Sequence, residues 1–128
     1  QGVDQNRLSL LLAVLQRHGD VQLGPEDVFV NVVGGLKMTE TAVDLPTVLS
    51  VVSSFRDRPC RGGLVSFGEI GLAGEVRPVR YGEERIAAAA KQGFGCAIVP
   101  RANAPKKAPA GIEVVAVTRI REALDAAF

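Results

Sequence analysis

The chain is poor in the residue types from which most recognisable sites are built. Its 128 residues include one His, two Cys, one Met, one Tyr and no Trp. Cys60 and Cys96 stand far apart with no Cys-x-x-Cys spacing. Neither a zinc site nor a disulfide framework is supported, and two such thiols suit a reducing cytoplasm. With five Phe and one Tyr, the composition argues against an aromatic platform for single-stranded nucleic acid, which needs exposed rings for bases to lie on. Charge of either sign is not in excess: 15 Lys and Arg stand against 14 Asp and Glu, net +1. Any attraction for phosphates must therefore come from local clustering. No apolar run approaches the roughly 18 residues of a membrane span and no signal peptide is visible, so a soluble, cytoplasmic chain with no membrane partner is expected.

Phosphate-binding loops are missing as well. Gly34-Gly35 and the series Gly68, Gly71, Gly74 give a Gly-x-x-Gly-x-x-Gly spacing. That is neither a Walker A loop nor the dinucleotide fingerprint, and no Gly-Lys-Ser/Thr follows. These glycines read as turn and bulge residues, and no cofactor is expected in this chain.

What is present is an ordinary globular balance, 47% hydrophobic and 23% charged. This suits one domain over residues 1–128 with a single core. The chain opens at Gln1 without an initiator Met and enters a helix almost at once, as expected of a piece of a longer protein. Asp4 is placed to cap a helix whose Leu8, Leu11, Leu12 and Leu15 recur at helical spacing as far as His18. Val28–Val33 is a β-branched run closed by Gly34-Gly35 and reads as a buried strand. Asp44 is expected to cap a second helix, with Pro46 in its first turn and Leu45, Val48, Leu49, Val52 and Phe55 on its core face. Leu64–Phe67 and Gly74–Val79 read as strands forming a hairpin around the Gly-rich centre. A third helix is expected over 82–92, strands over 96–99 and 112–117, and a final helix over 119–128. Strands and helices alternate through short connections, which predicts an α/β or α+β sandwich.

Three stretches carry a resemblance: Asp27–Gly35, Thr39–Asp44 and Gly68–Glu84. The last contains Gly68-Glu69-Ile70-Gly71-Leu72-Ala73-Gly74-Glu75-Val76-Arg77-Pro78-Val79. In these the chain resembles the proteolytic domain of the Lon protease family. It resembles more closely the C-terminal Lon-like domain of the RadA (Sms) family of bacterial DNA-repair and recombination ATPases. The resemblance implies a mixed sheet with helices packed on it, a fold related to the second domain of a small-subunit ribosomal protein. It also marks what is lacking. The active family's Gly-Pro-Ser-Ala-Gly motif, counted back from Arg58-Pro59, falls on Glu40-Thr41-Ala42-Val43-Asp44. Ala42 thus stands at the nucleophile position, and a methyl group cannot attack a carbonyl. The family's general-base Lys falls on Glu83, within Pro78-Val79-Arg80-Tyr81-Gly82-Glu83. Arg80 replaces a small family residue and is placed to fill part of the cleft. Ser50, Ser53 and Ser54 lie mid-helix, where hydroxyls bond back to the preceding turn. Ser66, Cys60 and Cys96 have no His nearby in sequence, and His18 suits a helix end.

The resemblance implies that a zinc finger and an ATPase domain using ATP and Mg lie upstream in the whole protein. It implies that this domain assembles as a ring, expected to be a hexamer, around single-stranded or branched DNA, with a recombinase or replicative helicase as partner. Candidate DNA contacts are Arg101, Lys106 and Lys107 in one loop, with Lys37 weaker. Arg56, Arg58 and Arg61, diluted by Asp57, suit a helix end or a subunit contact. The competing readings are a Lon-type peptidase, a peptide-binding pseudopeptidase, and an oligomerisation module that never touches DNA.

Overall fold

A computed structural model describes residues 5–18 and 41–128, although the side chains of residues 5, 6, 8, 16 and 18 are not among those described. The expected strand Val28–Val33, Gly34-Gly35, Lys37 and the cap Asp4 all lie outside the described residues.

Helix α1 runs over Gln5–His18. Its buried face carries Leu11, Val14 and Leu15, three of the positions that a 3.6-residue period turns to one side. A 3-10 turn, Thr41–Val43, leads directly into α2, Asp44–Arg56. Leu45, Val48, Leu49, Val51 and Val52 of α2 are all buried. Strand β1 is Leu64–Ser66, β2 Glu69–Ile70 and β3 Val76–Arg77. Helix α3 follows over Gly82–Lys91, then β4 over Cys96–Pro100. A second 3-10 turn, Arg101–Asn103, a loop, β5 over Glu113–Val117 and α4 over Ile120–Ala127 complete the chain.

The main sheet has the order β1-β4-β5, parallel throughout, with Leu64 opposite Cys96 and Ala97 opposite Val114. Parallel strands buried on both faces read as continuous apolar runs, and β4 is buried at all five positions. Its period of two splits the core. Ala97 and Val99 join Phe67, Ile86, Ala89 and Ile112 on the α3 side. Cys96 and Ile98 join the leucines and valines of α1 and α2, with Ile120, Ala123 and Leu124 of α4, on the other. Helices therefore cover both faces of the sheet, and the described residues form an α/β fold. No described helix is long and apolar enough to cross a membrane.

Three expectations are corrected. The hairpin does not join Leu64–Phe67 to Gly74–Val79. Instead β2 pairs antiparallel with β3 in a separate ribbon, Glu69 opposite Arg77 and Ile70 opposite Val76, while β1 pairs with β4. Among the described residues antiparallel pairing is found in that ribbon and in a single bridge between Glu75 and Arg119. Asp44 is not a cap: Val43 holds the cap position without a side-chain bond, and the Asp44 carboxylate accepts the Ile70 backbone N–H at 3.0 Å. Phe55 lies one turn beyond the core and is 38% exposed.

The buried Asp44 carboxylate explains how the ribbon is held. Its other partner is the Arg7 guanidinium, which donates from Nε at 3.1 Å and from its second terminal nitrogen, while that nitrogen also donates to the Ile70 carbonyl at 3.2 Å. The hydrogen bonds that Arg7 donates to Asp44 raise its pKa above its ordinary value, against the opposing effect of burial. One charge pair thus joins α1, α2 and β2. The backbone adds two bonds here, Gly68 N–H to Ala42 O and Leu45 N–H to Gly68 O, each 3.0 Å.

Candidate functional site

Parallel α/β sheets place their usable surface at the carboxyl ends of the strands, where the chain leaves the sheet for the next element. Here those ends deliver Phe67-Gly68 after β1, Arg101–Asn103 after β4 and Thr118-Arg119 after β5. The segment Pro78–Tyr81 lies against the second of these. The Asn103 side chain grips Val79 from both sides, donating to its carbonyl at 2.9 Å and accepting from its N–H at 2.8 Å. Gly82 makes the approach possible: a Cβ there would lie 2.5 Å from Asn103 Nδ2 and 2.8 Å from its Cβ.

Between this segment and the 3-10 turn before α2 is a cleft of about 660 Å³ lined by Thr41, Ala42, Pro78, Val79, Arg80, Tyr81 and Arg85. Ala42 is buried and presents only its methyl group. Glu83 is absent from the described lining of this cleft. It is exposed and faces a neighbouring hollow of about 260 Å³ with Glu84, Asn103 and Ala104. The two positions that the Lon resemblance singles out therefore line adjoining hollows that share Val79 and Tyr81. Arg80 lines the cleft mouth and is exposed, so it borders the space instead of filling it.

Among the other nucleophile candidates Ser53 is engaged and both thiols are suppressed. The Ser53 hydroxyl donates forward to the Arg58 carbonyl at 2.7 Å, not back to the preceding turn, whereas Thr47 does bond back to Val43 O at 2.7 Å. Cys60, Ser50 and Ser66 share a groove of about 470 Å³ with Leu49, Leu64 and Phe94. Burial pushes the Cys60 and Cys96 thiols above their ordinary pKa, which disfavours the nucleophilic thiolate. Among the described residues no group of three His, Cys, Asp or Glu converges as a metal site would require.

The basic candidates separate into two surfaces. Arg101, Lys106 and Lys107 are all exposed on the segment after β4, and Arg101 lowers the Glu122 pKa through its charge as the least of several causes. Arg56, Arg58 and Arg61 lie at the far end of α4. Arg58 donates to the Phe128 carbonyl at 3.0 Å, Arg61 to Glu113 at 3.3 Å, and the Arg56 guanidinium sits 5.5 Å from the centre of the Phe128 ring. Cations at the carboxyl end of a helix offset its unpaired carbonyls, and here the helix served is α4, seventy residues away from Arg58. Sequence reasoning did not reach Tyr81 or Asn103. Asn103 carried no signal, because its partners lie 24 positions upstream.

The sequence profile described as subunit ChlI of Mg-chelatase matches residues 8–103. The chain belongs to this family. Over nearly its whole length it is similar to proteins named DNA repair protein RadA. It is 60% identical over 123 residues to that of Escherichia coli, which covers 96% of this chain and 27% of the relative. It is 59% identical over 127 residues to that of Pseudomonas aeruginosa, covering 99% and 28%, and 46% identical over 124 residues to that of Bacillus subtilis, covering 96% and 27%. The RadA resemblance drawn from the residues is borne out by these identities, and the chain spans little more than a quarter of the relatives' length.

Proposed function

We propose that this chain is the non-catalytic, Lon-like platform of a RadA-type DNA-repair protein, assembling the whole protein into a ring of six and contributing contacts to DNA during branch migration of recombination intermediates. The observation that carries the reading is the chemistry of the two degenerate positions, Ala42 and Glu83. A methyl group of Ala42 faces the cleft and the acid Glu83 lines the adjoining hollow, so neither a nucleophile nor a basic amine stands at these two positions. Hydrolysis of a peptide bond needs both within hydrogen-bond reach of the same carbonyl. The similarity to RadA along 96% of the chain supplies the context. ATP, Mg and Zn belong in this reading to the remaining three-quarters of the whole protein, which also meets a recombinase or replicative helicase. Arg101, Lys106 and Lys107 make phosphate contacts that tighten at low salt.

Two assays test this. Incubation with unfolded casein is expected to leave the casein intact; cleavage that disappears when one Ser or Cys is replaced by Ala would establish the peptidase reading instead. The double substitution Lys106→Glu with Lys107→Glu is expected to weaken binding of a DNA duplex and flatten its salt dependence. Unchanged affinity would remove this loop from the DNA contact.

A further inference from the structure

Tyr81 has a backbone that only a well-supported site maintains. It adopts φ +63°, ψ +34°, the left-handed region, which a bulky residue enters at a cost that its surroundings must offset. The supports are visible on both sides. Arg85 Nε donates to the Arg80 carbonyl at 2.9 Å, and the Arg85 guanidinium is backed by the Phe67 ring at 5.8 Å. Asn103 clamps Val79 by both backbone groups. The effect is to fix a four-residue turn so that the Tyr81 ring stands in solvent, 66% exposed, at the rim of the cleft. Beside it the Arg80 side chain is exposed. The described lining of the cleft contains two arginines and no acid, and its remaining wall is Thr41, Ala42, Pro78 and Val79.

We infer that this cleft is a binding site for single-stranded nucleic acid, in which one base stacks on Tyr81 and the adjoining phosphate lies on Arg80. The charge lining selects an anion. The rigidly presented flat ring beside a largely apolar wall selects one with a flat, weakly polar face. A single strand offers both at one-nucleotide spacing, and base-on-aromatic stacking tolerates any sequence. Composition argued against an aromatic platform, but a single exposed ring on a supported turn suffices for one base. The inference rests on the reading of this chain as a DNA-contacting domain and moves the single-strand contact from the Lys106-Lys107 loop to the cleft.

The test uses the 128-residue chain, a fluorescein-labelled twelve-residue oligothymidylate and an abasic oligonucleotide of equal length. Binding is followed by anisotropy at two salt concentrations. Tyr81→Asn removes the ring while keeping a residue that accepts left-handed backbone, and Tyr81→Phe keeps the ring. The wild-type chain is expected to prefer the oligothymidylate over the abasic strand by about fivefold or more, the preference a single stacked base provides. Tyr81→Asn abolishes this preference and Tyr81→Phe retains it. Arg80→Ala weakens both strands and lowers the salt slope by about 0.7. Equal affinity of the wild type for the two strands, or an unchanged preference in folded Tyr81→Asn, overturns the inference. If duplex binding still falls in the Lys106/Lys107 variant, the wider DNA-platform reading survives that result; if the chain binds neither duplex nor single strand, both fail.

Discussion

Replacing Asp44 by Ala tests how the hairpin ribbon is fastened to the helices. The carboxylate side chain is 2% exposed and meets the Arg7 guanidinium and the Ile70 N–H. Removing one member of a buried pair costs about 3–5 kcal/mol, because the survivor is left without its partner in a poorly hydrated place. Arg7 retains 29% side-chain exposure, so water can solvate the abandoned guanidinium and the lower end applies, about 3 kcal/mol. At roughly 4 °C per kcal/mol for a domain of this size, the melting midpoint should fall by about 12 °C. Arg7→Met strands the more deeply buried partner and should cost at least as much. The pair Arg7→Met with Asp44→Leu should recover much of the loss, since an apolar replacement removes both charges together. Urea unfolding of the four proteins gives the coupling energy, expected above about 2 kcal/mol. A loss below about 1 kcal/mol for Asp44→Ala, or strictly additive effects, would refute the reasoning.

Two further predictions concern the cleft wall and the last helix. Gly82→Ala drives a methyl into Asn103 and should release its two bonds to Val79, lowering stability by about 1–3 kcal/mol; an unchanged urea midpoint would contradict the tight approach. Glu122 closes the start of α4 by accepting from the Thr118 N–H at 2.6 Å, the Thr118 hydroxyl at 2.8 Å and the Arg119 N–H at 3.1 Å. These bonds, the Thr118 N–H foremost, hold its carboxyl below the ordinary value of 4.5. A depressed folded-state pKa means that the stabilisation is complete above pH 4.5 and is lost as pH falls through the folded value. Glu122→Ala should therefore cost about 1 kcal/mol at pH 7 and converge on the wild type in acid, whereas a pH-independent difference would contradict the assignment.

Much of the architecture was legible because its causes are local. The leucines of α1, the valines of α2, the Ala-rich α3 and the apolar run of β4 each carry their own period. Pairing was less legible. β1 joins β4 across thirty positions, with α3 and the ribbon between them, and nothing within Leu64–Ser66 distinguishes that partner from the nearer β3. Asp44 misled for the same reason: a residue suited to capping was drawn instead to Ile70 and Arg7, 26 and 37 positions away. At the site, the methyl of Ala42 and the acid of Glu83 were readable as residue types, and their place on adjoining hollows was not. The exposed ring of Tyr81 was not, since its presentation depends on Asn103 and Arg85 gripping the turn from outside it.

The central proposal is that this domain builds a ring-shaped platform. The solution mass of the chain by light scattering, over a range of concentrations, tests it most directly. The account predicts a mass near six chains that persists on dilution. A strict monomer at every concentration would contradict the ring-forming role assigned to this domain.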